Sequence, residues 1–126
     1  MQIPEDLQYT DEHEWVRKVG DRTVRIGVTD YAQDQLGDVV YVELPETGRV
    51  VAKDDLVVEI ESTKSVGEVY APFAGTIGIV NEAVTAKPEL VNTSPYDEGW
   101  LVEIELSEEL SADGLLDAAA YKDLTE

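Results

Sequence analysis

The stretch "VEIESTKSVGEV" covers residues 58–69, and its reading decides the fold. Apolar residues alternate with acids on both sides of "STKS", so two short strands meet at a turn. A two-residue hairpin loop normally uses Asn-Gly or Gly-X, because its backbone needs positive φ, and this turn offers neither. Lys64 falls at the tip. Something besides turn propensity selects these residues.

Outward from the hairpin the same pattern repeats. "EWVRKV" (14–19), "TVRIGV" (23–28), "DVVYVEL" (38–44), "LVVEIES" (56–62), "GEVYA" (67–71), "GTIGIV" (75–80) and "WLVEIEL" (100–106) all read as strands. Segments rich in Gly, Pro and Asp separate them, with Gly37, Gly48, Gly75 and Gly99 taken first as turn formers. Many short strands with frequent turns predict a β-sandwich or small barrel. "TDYAQDQLG" (29–37) predicts a short helix, with Thr29 as its N-cap and Gly37 as its stop. The Ala- and Leu-rich tail predicts a C-terminal helical segment over about 111–126, centred on 115–124 with Asp117 as a cap. The fold class is mainly β, a β-rich α+β arrangement, and 126 residues suit one domain over 1–126.

Composition removes several functions. Twenty-eight acidic residues face nine basic ones, for a net charge of -19, and no basic run exists to bind phosphates, so nucleic acid is not an expected partner. The acids are spread along a chain that is 43% apolar, which places them on a folded surface. Such an excess suits basic partner surfaces or a salt-rich cytoplasm that screens self-repulsion, and a halophilic setting is the favoured expectation. Without cysteine there is no thiolate ligand or cysteine nucleophile, so redox chemistry must come from a cofactor. No apolar stretch is long enough to span a membrane and the N-terminus does not resemble a leader, so a cytoplasmic protein without membrane partners is expected.

Lys64 is one of five lysines, and a surface lysine is by default merely solvated. A hairpin tip changes that expectation. It fixes the direction of the amine and exposes it to an enzyme that grips the surrounding backbone, as covalent modification requires. Schiff-base catalysis needs an amine desolvated in a pocket, which a tip does not provide.

"VEIESTKSVGEVYAPFAGTI" (58–77) resembles the lipoyl-lysine hairpin of lipoylated carriers. With "YTDEHEWV" (9–16), "GVTDYAQDQLGDVVYVELPETG" (27–48) and "NTSPYDEGWLVEI" (92–104), the chain resembles the H-protein family of the glycine cleavage system over nearly its whole length. The resemblance implies a barrel-sandwich hybrid of two antiparallel sheets, a lysine-tipped hairpin and short flanking helices. It implies lipoate as the cofactor, held as lipoyl-lysine on Lys64, and a non-catalytic carrier that shuttles an aminomethyl group. The implied partners are a pyridoxal-phosphate glycine decarboxylase (P protein), a tetrahydrofolate-dependent aminomethyltransferase (T protein), dihydrolipoyl dehydrogenase (L protein), and a lipoate ligase or lipoyl transferase. The chain departs from the family pattern at Thr63, Ser65, Gly67 and Glu68. Biotin sites on the same fold usually flank the lysine with Met, which Thr63 and Ser65 do not match.

A cationic cargo on a flexible arm calls for carboxylates and shelter from water. The same resemblance nominates Glu12, His13 and Glu14 of "DEHEW" as contacts for the arm or its amine, and Glu68, four residues after the lysine, is a further candidate by its position. Any acid among twenty-eight is more often surface than site, and a lone histidine more often a packing or hydrogen-bonding residue. Three other readings stay open: a carrier for a different lipoyl-dependent complex or a lipoate relay, a two-carboxylate hydrolase, and a plain acidic interaction module. The last predicts that Lys64→Arg is silent.

Overall fold

The structure is a computed structural model that describes residues 1–108 and 114–125. Two antiparallel sheets form it. The first has six strands in the order β1–β2–β3–β9–β8–β5, namely Gln8–Tyr9, Glu14–Lys18, Thr23–Val28, Val102–Leu106, Gly75–Val80 and Val50–Val51. The second has three, with β6 (Leu56–Ser62) between β4 (Val39–Glu43) and β7 (Val66–Tyr70). The inward sets of both sheets meet in one core: Val24, Ile26 and Ile104 from the first, Val42, Val58, Ile60 and Val69 from the second. Barrel-sandwich architecture follows from that shared core, as the resemblance implied.

All seven expected strands are present, within two residues at each end. Simple alternation fails at β2, where Glu14, Trp15 and Val16 are all buried. Val16 points into the intersheet core, while Trp15 belongs to a second, aromatic cluster with Leu7, Tyr9, Tyr96 and Tyr121 on the other face. Both faces of the sheet are covered there, so both parities are buried. Gly27 of β3 makes room for the indole, since a Cβ at that position would lie 2.6 Å from its ring. Trp15 therefore fills this aromatic core, whereas Trp100 is only half-buried, with the Arg25 guanidinium 4.3 Å above its ring.

Helix α1 (Asp30–Leu36) follows its sequence signals: Thr29 Oγ1 accepts the Ala32 N–H at 3.1 Å, and Gly37 ends it at φ 80°. Two of the supposed turn glycines have a different reason. A Cβ on Gly75 would lie 2.3 Å from the Glu105 carbonyl oxygen, and one on Gly99 would lie 2.5 Å from that of Leu90, so close backbone approach and not positive φ demands glycine. Two helical turns absent from the sequence reading, α2 (Ala83–Ala86) and α3 (Leu90–Thr93), connect β8 to β9. Four residues are too few to show helical periodicity, and neither has a side-chain cap.

The C-terminal helix also differs from expectation. It runs over Ala118–Thr125 (α4), with Asp117 Oδ1 accepting the Ala120 N–H at 2.8 Å. Leu115 and Leu116 are not helical, because Leu116 exchanges two backbone hydrogen bonds with Tyr9 (2.8 and 2.7 Å) and extends the sheet edge. Positions 111–113 and 126 of the expected segment lie outside the described residues. No helix among the described residues is long and apolar enough to cross a membrane.

Candidate functional site

The hairpin turn is built by a serine. Glu61 pairs with Val66, which centres the loop on Thr63 and Lys64. Ser62 Oγ accepts the N–H groups of Lys64 (3.3 Å) and Ser65 (3.0 Å) and donates to Ser65 O (3.1 Å). The Ser62 N–H also reaches Ser65 O at 2.8 Å, and Thr63 N–H donates to Asp38 O at 3.0 Å. Neither Thr63 nor Lys64 has positive φ. A hydroxyl closing the turn from within replaces the glycine geometry, which explains the missing turn residues. Lys64 is exposed, and its alkyl stem lies over Gly37, where a Cβ would stand 3.0 Å from Cε.

Beside this stem a groove of about 190 Å³ opens between α1 and β7. Ala32 and Leu36 of α1, with Val28, Ile60 and Val69, give it apolar walls. Leu36 packs so closely on Gly67 that a Cβ there would approach it to 2.8 Å. All four nominated residues line this groove: Glu12, His13 and Glu14 from the loop entering β2, and Glu68 from β7. Lys64 is not among the lining residues; its stem touches Gly37, the residue after Leu36. A wider hollow of about 530 Å³ lies next to the groove, between Asp11, Lys53, Asp54 and Tyr70, and Glu12 lines both.

The four residues differ in environment. Glu12 and Glu68 are exposed, whereas Glu14 is buried, with Oε1 accepting from Thr10 Oγ1 at 3.1 Å and Oε2 from the Tyr70 N–H at 2.6 Å. Burial pushes its carboxyl up to about 7; these two hydrogen bonds oppose the shift, and nearby Glu12 and Asp54 add to it. His13 has φ 66° and its ring is half-buried, 4.7 Å from Tyr31 and 5.7 Å from Tyr121 between centroids. Its Nδ1 lies 2.8 Å from the Tyr121 hydroxyl, which also lies 2.7 Å from Thr29 Oγ1. Burial holds the imidazole below its ordinary 6.5, against the opposing charges of Glu12 and Asp11. An exposed amine on a fixed turn, beside an apolar groove with carboxylates at its rim and floor, suits a tethered arm with a cationic end.

Residues 7–126 match the family described as Glycine cleavage H-protein. The chain belongs to that family. Among its relatives, the glycine cleavage system H protein of Micrococcus luteus is 53% identical over 120 residues, covering 94% of each chain. That of Anaeromyxobacter sp. (strain K) is 51% identical over 126 residues, covering all of this chain and 98% of the relative. The crystal structure of a glycine cleavage system H protein from Mycobacterium marinum superposes with a TM-score of 0.86 at 38% identity, covering 96% and 97% of the two chains.

Within this H-protein fold, the sequence reading missed the residues that support the site. Ser62, Gly37 and Leu36 shape the turn and the groove, and Thr10 and Tyr70 hold Glu14. Asn92 of α3 braces the end of α1: its amide donates to Gly37 O (2.9 Å) and Gln33 Oε1 (3.0 Å) and accepts the Val39 N–H (2.8 Å). Thr29 and Gly37 carried legible signals, as the cap and the stop of α1, but not as parts of the site. Tyr121 gave none, because its role depends on a contact with His13 made across most of the chain.

Proposed function

We propose that the chain is the carrier subunit of a cytoplasmic glycine cleavage system, with lipoate attached as an amide to Lys64. The observation that carries the reading is an exposed lysine on a hydrogen-bonded turn beside a groove that gathers Glu12, His13, Glu14 and Glu68. The residues present fit the group: the stem lies against Gly37, and the walls of the adjoining groove are aliphatic with carboxylates at hand. When bound, lipoate supplies disulfide and dithiol chemistry and the sulfur on which an aminomethyl unit is carried between enzymes.

The protein's own part is position and environment. The Ser62 bonds fix where the Lys64 amine points, so a lipoate ligase or transferase meets a defined turn. Leu36, Ile60 and Val69 keep water from a group lying in the groove. Glu12 and Glu68 favour a cationic amine there, and so does Glu14, which approaches of a cation convert from partly protonated to ionised, releasing a proton. The partners follow from that cargo: the decarboxylase, the tetrahydrofolate-dependent transferase and dihydrolipoyl dehydrogenase.

Intact mass and peptide mapping of the chain from a lipoate-producing host test this directly. The expected result is one lipoyl amide on Lys64, absent in Lys64→Arg, whose stability stays within about 0.5 kcal/mol of the parent because the site is an exposed tip. A biotinyl increment would redirect the reading to carboxylases. An unmodified lysine would overturn it.

A further inference from the structure

A hydrogen-bond chain runs through the wall of the groove, from the cap of α1 through the C-terminal helix to the loop entering β2. Ala32 N–H donates to Thr29 Oγ1 (3.1 Å), Thr29 Oγ1 lies 2.7 Å from the Tyr121 hydroxyl, and that hydroxyl lies 2.8 Å from His13 Nδ1. Thr29 and Tyr121 are both fully buried, so each O–H proton needs an acceptor inside the protein. Each hydroxyl has one proton to give. If His13 donated from Nδ1, Tyr121 would donate to Thr29, and the Thr29 proton would have no acceptor in the chain. If Thr29 donates to Tyr121 and Tyr121 donates to Nδ1, every proton is used.

We propose that Tyr121 is a positioning residue that, together with Thr29, holds His13 as the neutral imidazole with its proton on Nε2, so that this wall of the groove carries no positive charge. The backbone keeps the ring in place: His13 is in the left-handed region at φ 66°, secured by its N–H to Thr10 O (3.3 Å) and by the Thr29 N–H to its own carbonyl (3.1 Å). Burial pushes the Tyr121 phenol up to about 12, so it keeps the proton that it donates. The groups around His13 are Asp11, Glu12 and Glu14 on its own loop and strand, Tyr31 on α1, Tyr121 on α4 and Glu68 on β7. The carboxylates alone would favour an imidazolium; burial and the directed chain oppose it. A neutral ring leaves Glu12, Glu14 and Glu68 free to meet a cationic amine, a consequence that rests on the carrier reading, whereas the tautomer itself does not.

His13 is the only histidine, so imidazole ¹⁵N spectra of the whole chain report on it without assignment. At neutral pH the lipoylated protein and Lys64→Arg are both expected to show a single neutral tautomer, with Nδ1 bare and Nε2 protonated. Tyr121→Phe is expected to lower the ratio of the two tautomers by about three- to tenfold, the effect of one net hydrogen bond, and to shift the titration midpoint upward. Thr29→Ser keeps the parent spectrum, whereas Thr29→Val, lacking the O–H, moves it in the same direction as Tyr121→Phe. A proton on Nδ1 in the parent, or a parent-like spectrum in Tyr121→Phe, would overturn the proposal. Should Tyr121→Phe fail to fold, the parent spectrum and the Thr29 pair decide the matter. Failure of the carrier reading shows separately, as an unmodified Lys64, and leaves these spectra unchanged.

Discussion

Glu14 carries a buried carboxyl whose folded value of about 7 stands above the ordinary 4.5. Below pH 4.5 the group is protonated in the folded and unfolded states alike and contributes no pH dependence. Between 4.5 and 7 the unfolded chain releases the proton while the folded one retains it, so stability falls as pH rises; above 7 the loss is complete. We expect Glu14→Gln to remove this slope, so that its stability relative to the parent improves by on the order of 3 kcal/mol between pH 4.5 and 7.5. Denaturant titrations of both proteins across that range would measure the difference, and parallel curves would refute it. The sequence marked Glu14 as a candidate only through resemblance. Its burial was not legible, because β2 is covered on both faces and the covering aromatics come from both ends of the chain.

The Lys64 hairpin depends on one hydroxyl at the scale of the element. Ser62→Ala removes the acceptor for two backbone N–H groups and is expected to cost about 1 kcal/mol and to speed hydrogen exchange of the Ser65 amide, with the strands beyond Glu61 unaffected. Gly75→Ala should do far more. Its methyl would meet the Glu105 backbone, so β8 would have to move from β9, at a cost of about 3 kcal/mol or more on thermal melting. The strands themselves were legible, since period two survives over most of β3 and β8 and β-branched residues recur in the others. Strands β1 and β5, with two residues each, and the helical turns α2 and α3 were not. They exist through contacts to distant segments, such as Tyr9 to Leu116, that no local window contains.

Charge is the dominant property of the whole molecule. A net charge of -19 on 126 residues implies strong self-repulsion. Ion pairs such as Arg25–Glu103, at 2.8 Å, offset little of it. The melting temperature is therefore expected to rise as salt increases from about 0.01 to 1 M, where the screening length falls from about 30 to 3 Å. Unfolding at low salt would support the halophilic expectation, and indifference to salt would remove it. Net charge was fully legible from the sequence; the grouping of four particular residues around one groove was not, because folding brings Glu14 of β2 and Glu68 of β7 together from opposite sheets.

The strand order of the larger sheet has a kinetic consequence. β9, last in chain order of the described strands, lies between β3 and β8 and pairs with both. At roughly 5–20 residues per second, the ribosome leaves the far edge of β3 unpaired for several seconds while residues 29–101 are synthesised, although β1, β2 and β3 can already pair with one another. The smaller sheet, made of β4, β6 and β7 with only the two-residue β5 between them in the chain, can pair during that interval. A nascent chain stalled before Val102 should thus present its lysine turn on a half-built body that proteases still cleave. Synthesis itself would set the order in which the lysine turn and then the larger sheet are completed.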